Sequence, residues 1–200
     1  MTVPAPLTTD PRPGLARKKP APTLVTGEAF AAMTELGRAE LIEGKVIQMP
    51  PPKGKHGLTE GKFSLRIGNF VQQHQLGYVF VGETGVYIRR NPDTVRGMDV
   101  AYISNERWAQ QPDPEGYLEI APDLIVEILS PDDRWTAVIK KLKEYFSIGV
   151  RLVWVADPAT HTVYAYRSVT NIQEFGESET LPGDEVLPGF SVPVADLFVF

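Results

Sequence analysis

Apolar residues recur along this chain with two periods, near 3.6 and near 2, and the switches between them mark the elements. Thr26 is well suited to N-cap a short helix reaching Met33. Residues 39–49 alternate Leu41, Glu43, Lys45 and Ile47 with Ile42, Gly44, Val46 and Gln48. They predict one strand bent at Gly44 and ended by Pro50-Pro51-Pro52. Over 56–76, Leu58, Phe63, Leu65, Ile67, Phe70 and Val71 predict an amphipathic helix stopped by Gly77.

Strand-like runs follow at 78–81, 85–89 and 98–103, with Asn91-Pro92-Asp93 turning the chain between the last two. Residues 110–117, rich in proline and acidic side chains, form a loop. Residues 124–129 are apolar apart from Glu127, the pattern of a strand covered on both faces. Trp135, Val138, Ile139, Leu142, Tyr145 and Phe146 stripe one face of a helix over 135–148, ended by Gly149. Residues 151–156 read as a second buried strand, and 161–166 as its hairpin partner. The remainder reads as short edge strands and turns. This order predicts an α/β (α+β) domain, a mixed central sheet of four to six strands flanked by helices.

Composition narrows the picture. Two hundred residues with 42% hydrophobic content suit one compact domain with a core of its own. Pro4, Pro6, Pro11, Pro13, Pro20 and Pro22, with the basic run Arg17-Lys18-Lys19, make residues 1–25 a leader expected to be disordered. Residues 26–200 are then the single folded domain. There is no cysteine, which excludes disulfides, thiolate nucleophiles and Cys-ligated zinc. No apolar run approaches the roughly 20 residues of a membrane helix, and no secretory signal is recognisable, so a cytoplasmic protein is expected. The net charge of −5 argues against a general DNA-coating role. It does not argue against a nuclease, whose acidic metal site sits beside a local basic patch.

One residue breaks the apolar pattern. Glu127 lies between Val126 and Ile128, where a carboxylate is costly unless paired or bound to metal. Asp99, between Met98 and Val100, is a milder case. On neighbouring strands the two can converge on one hard cation such as Mg2+, which takes oxygen ligands and keeps several waters. Such a cation serves phosphate hydrolysis.

The segments Glu40-Leu41-Ile42-Glu43-Gly44, Met98-Asp99-Val100, residues 122–131, Lys141 with Tyr145, and residues 149–158 resemble the Uma-two family. That family is placed among restriction endonucleases of the PD-(D/E)XK superfamily. The likeness runs from about Thr26 to Leu197. It implies a restriction-endonuclease-like fold, with Asp99 and Glu127 as catalytic, metal-binding carboxylates. Met98 stands at the motif's proline, and Leu129 at its lysine. The resemblance suggests that Lys141, on the following helix, supplies the missing cation. At about 100° per residue, Lys141 borders the apolar stripe, whereas Lys140 lies nearly on the outer face.

Pro122-Asp123 spells the motif literally, but Asp123 is four residues before Glu127, about 13 Å along a strand. The two cannot share one ion, so Asp123 is read as a residue that starts the strand. Glu40 and Glu43 are auxiliary candidates, for a hydrogen bond or the metal shell or as exposed charges. His56 is a candidate to orient the phosphate or a metal-bound water or to make a structural bond. His74 and His161 are expected on the surface, and Ser130 is expected to cap a turn. Arg89, Arg90, Arg96 and Arg134 can form a phosphate-binding rim or simply be solvated charges. Trp108, Trp135 and Trp154 are read as packing residues.

The expected activity is hydrolysis of DNA by a Mg2+-dependent endonuclease, with Mn2+ as a substitute and a homodimer as the assembly. Two other readings stay open. One is an inactive nuclease fold that binds or regulates; the other is a structural homodimer module in which Glu127 pairs with a buried Lys or Arg.

Overall fold

In a computed structural model of the protein, Met1 and residues 23–199 are described. Most of the proline-rich leader lies outside the described residues. Among the described residues, no helix is long and apolar enough to cross a membrane.

Helix α1 (Gly27–Ala31) starts at Thr26, whose hydroxyl accepts from the Ala29 N–H at 3.2 Å. It is shorter than the predicted run to Met33, and a 3-10 turn at Thr34–Leu36 follows. Residues 39–49 form a hairpin rather than one bent strand. Strands β1 (Ala39–Ile42) and β2 (Lys45–Gln48) pair antiparallel, joined by Glu43 and Gly44 at φ 52° and 72°. Two successive left-handed residues reverse a chain, so the glycine that reads as a bend is half of a tight turn.

Helix α2 (Gly54–His74) buries His56, Thr59, Phe63, Ile67 and Val71. Leu58 and Leu65, seven residues apart and counted in the predicted stripe, face outward at 52% and 57% exposure. The helix is stopped by Gln75 in the left-handed region, two residues before Gly77. The two short strands expected at 78–81 and 85–89 are one long strand, β3 (Gly77–Arg89), and β4 (Thr94–Ser104) runs back along its whole length. Short helix α3 (Asn105–Trp108) leads through a loop to β5 (Leu124–Ile128), α4 (Trp135–Ser147) and β6 (Leu152–Asp157). Strands β5 and β6 are parallel, with α4 as their crossover. β7 (Thr162–Tyr166) and β8 (Ile172–Phe175) extend the sheet antiparallel. β9 (Thr180–Pro182), β10 (Ser191–Pro193) and α5 (Ala195–Phe198) end the chain, with β9 and β10 forming their own small sheet.

The main sheet therefore has eight strands, in the order β2-β1-β4-β5-β6-β7-β8 with β3 also on β4. That exceeds the expected four to six because the 39–49 run is a hairpin and β8 is a full member. One face packs Phe63, Ile67 and Val71 of α2, with the C-terminal segment, against Val100, Val126 and Trp154. The other packs Leu142 and Tyr145 of α4 against Ala101, Ile125 and Val153. Burial of each large side chain contributes about 1.5–3 kcal/mol. Leu124, Ile125 and Val126 are wholly buried, as a strand between two helical layers must be.

Two irregularities of β4 set the site. Strand β3 covers one edge of β4 from end to end. On the other edge β4 pairs with β1 at Val95, then with β5 from Val100 onward. Residues 96–99 face a fork between those two strands. In addition, the β3 pairing steps from Val81↔Val100 to Thr84↔Met98, so Gly82 and Glu83 together stand opposite Asp99. This is a β-bulge, and Gly82 and Glu83 take its positive φ of 72° and 63°. Across it the alternation of β4 slips, for Met98 and Ala101 both join the α4-side core while Val100 joins the other.

Candidate active site

Asp99 and Glu127 stand across the open end of the β4–β5 ladder. The register Tyr102↔Leu124, Ala101↔Ile125, Val100↔Val126 leads next to Asp99 beside Glu127. Leu129 directs its N–H to Ala156 of β6, so the Ile128 N–H points the other way, toward β4. There it donates to Asp99 Oδ2 at 2.7 Å. Asp99 thus takes over where the ladder ends.

The two carboxylates differ in surroundings. Asp99 is 3% exposed and touches His56 Nε2 at 3.4 Å through Oδ2 and Arg38 at 3.8 Å through Oδ1. Burial alone would raise its pKa, but hydrogen bonds with His56 and Glu83 and from the Ile128 N–H hold it below the usual carboxylate range. His56 is raised in turn, chiefly by its bond to Asp99. Glu83, on the bulge, is pushed up to about 7 by burial and by Asp99, against the pull of Arg38, with which it forms a close ion pair.

Glu127 has both oxygens engaged. Oε2 accepts from Lys141 Nζ at 2.8 Å and Oε1 from the Tyr145 hydroxyl at 2.5 Å. Burial and the charge of Asp99 raise its pKa despite Lys141. Lys141 and Tyr145 lie four apart on α4 and so share a face. Lys141 also reaches the Gly97 carbonyl at 3.4 Å and Glu40 at 3.4 Å. Burial would lower its pKa, but Glu127, Tyr145 and Glu40 outweigh that and hold it well above the ordinary lysine value. Lys140 points away and is 54% exposed.

The other sequence candidates divide. Glu40 is buried and pairs with Arg96 at 2.6 Å, and Arg96 also grips Glu144 at 2.7 Å. Arg96 is 5% exposed, so it braces the site from within and offers nothing to an external phosphate. Glu43 lies in the exposed hairpin turn, paired with Arg89 at 3.3 Å. Arg90 is held by Glu28, Asp93 and Glu119 and stacks on Tyr87. Arg134 is exposed at the start of α4. Asp123 is buried at the start of β5, accepting from the Ser104 N–H at 2.8 Å and pairing with Arg107 and Arg151. His74 is exposed, and His161 pairs with Glu177. The turn at Ser130 is closed by the Asp133 side chain on the Ser130 N–H. Trp154 is core, while Trp135 is 48% exposed.

Three residues absent from the sequence candidates reach this site: Arg38, Glu60 and Glu83. Glu60 bonds the Gly82 N–H at 3.2 Å, tying α2 to the bulge. Its place four residues after His56, one helical turn on, is a signal the sequence does carry. Glu83 carries only the glycines at 82 and 85 as a hint of irregular backbone.

Known proteins resemble this chain in sequence and in fold. A family model described as "Putative restriction endonuclease", Uma2, matches residues 28–195. The chain belongs to the Uma2 family. It is also similar to the crystal structure of a "putative nuclease belonging to DUF820" from Anabaena variabilis ATCC 29413. The TM-score is 0.70 at 28% identity, covering 87% of this chain and 97% of that one. No curated protein matches. The fold is restriction-endonuclease-like, and both Uma2 membership and the structural neighbour support a nuclease function.

Proposed function

We propose that the protein is a Mg2+-dependent endonuclease that hydrolyses DNA phosphodiester bonds, with Mn2+ as a substitute. The observation that carries this reading is Asp99 beside Glu127 at the fork in the sheet, with Lys141 on the second carboxylate. The donor set fits a divalent cation, since the carboxylates of Asp99 and Glu127 stand side by side at the end of the β4–β5 ladder. Asp99 and Glu127 would hold the metal. When bound, it would supply positive charge to the phosphate undergoing attack.

The chain's own residues do the remaining work. Lys141 keeps its proton, so it offers a fixed positive charge beside Glu127 for the phosphate or for orienting the attacking water. Tyr145 fixes the Glu127 carboxylate. Glu83 borders Asp99 from the bulge, and Arg38 does so from just before β1. The reading takes 26–200 as one nuclease-like domain, in the cytoplasm and working as a homodimer. The two-fold symmetry of such a dimer would match the two strands of a duplex.

The test is cleavage of plasmid and linear DNA by purified wild type, Asp99→Ala and Glu127→Ala with Mg2+. Both variants should fold and fail to cut; undiminished cleavage by both would sink the assignment.

A second reading, a binding or regulatory protein on a nuclease fold, is favoured by the engagement of both Glu127 oxygens. Calorimetry showing no Mg2+ or Mn2+ binding would select it.

A further inference from the structure

The α2 side of Asp99 holds a donor group that the Asp99–Glu127 pair does not use. His56 and Glu60 stand four residues apart on α2, hence on one face, and both reach toward β4. One ligand atom from each of His56, Glu60 and Asp99 lies within 4.8 Å of the others. A single ion between them could therefore touch all three. His56 is 6% exposed, and its Nδ1 is buried with no hydrogen-bond partner among the described residues. Its other ring nitrogen, Nε2, faces Asp99 Oδ2 at 3.4 Å and is the atom offered to an ion there.

We propose that His56, Glu60 and Asp99 form a divalent-cation position of mixed nitrogen and oxygen donors that takes Mn2+ in preference to Mg2+. Mg2+ holds oxygen ligands and dehydrates reluctantly, whereas imidazole suits first-row transition metals. The bulge builds the position. By making β4 slip at Asp99 it lets one carboxylate belong to the β5 edge and still meet α2. The bond from the Gly82 N–H fixes Glu60 through one oxygen and leaves the other for a cation. Arg38 is the opposing charge, 3.8 Å from Asp99, and Glu83 holds it in an ion pair. A cavity of about 520 Å3 lined by Arg38, Glu60, Gly82 and Glu83 opens on the Glu60 side of the position.

This position deepens the nuclease reading but needs neither Glu127 nor cleavage. The experiment is Mn2+ titration of the full chain by electron paramagnetic resonance, with detection of 14N coupling to the bound ion, beside Mg2+ titration by calorimetry. Wild type should bind Mn2+ more tightly than Mg2+ and show nitrogen coupling. His56→Gln should lose the coupling, and Glu60→Gln should weaken Mn2+ binding by roughly tenfold or more. Glu127→Gln should keep the coupling. Wild type without nitrogen coupling, or Glu60→Gln binding Mn2+ as wild type does, would overturn the proposal. A chain that shows the coupling yet cuts no DNA would retain this site and lose the nuclease reading. Glu60→Gln preserves shape, so the test survives if His56→Gln fails to fold.

Discussion

Tyr145 donates a 2.5 Å hydrogen bond to Glu127 Oε1, which leaves Lys141 the other oxygen. The phenol is wholly buried, so its removal has no water to replace it. Tyr145→Phe should keep the packed ring but leave a carboxylate oxygen unsatisfied. The expected loss is about 1–3 kcal/mol in urea unfolding, with reduced cleavage.

Arg96 bridges Glu40 and Glu144 where water hardly reaches. Arg96→Met would leave the buried Glu40 only Lys141 at 3.4 Å, and breaking a buried pair from one side costs about 3–5 kcal/mol. Arg66→Ala breaks the half-exposed pair with Asp196 and should cost no more than about 1 kcal/mol. Equal losses in the two variants would contradict the structure.

Glu40 also sets a pH dependence. Burial works against its charged form, but Lys141 and Arg96 outweigh burial and hold its pKa below the ordinary 4.5. A depressed folded-state value stabilises above the unfolded pKa and loses that effect as pH falls through the folded one. The stability gap between wild type and Glu40→Gln should therefore be constant at neutral pH. It should shrink in acid below about 4.5. A gap that widens in acid would reverse the sign.

Asp123 separates motif from geometry. Asp123→Asn weakens the charge-assisted contacts with Arg107 and Arg151, so thermal unfolding should come earlier. Metal-dependent cleavage per folded molecule should persist, because Asp123 stands at the far end of β5 from Glu127. Loss of cleavage in folded Asp123→Asn would return the literal Pro-Asp to consideration.

The sheet core and the α4 face were legible because hydrophobic period reports burial directly. Residues 124–128 and the stripe from Trp135 to Phe146 could hardly be read otherwise. Glu127 was legible as the one charge in such a strand. Positions that depend on backbone sign were hidden. Glu43 looks like an alternating strand residue yet takes φ 52°, and Glu83 looks like a loop charge yet takes φ 63°. Neither is a residue type that announces left-handed backbone. Arg38 was hidden for a different reason, since its partners Glu83 and Asp99 are distant in sequence.

The bulge also works as a counting device. With two residues of β3 set against one of β4, the ribbon changes step here by a single residue, as it does again between Tyr87 and Arg89. Deleting Gly82 would bring Gly77–Val81 and Thr84–Tyr87 into one register against β4. Asp99 would then have to choose between the β5 edge and α2 and could no longer meet both. The active site rests on one surplus residue in a strand that supplies no part of the sequence motif.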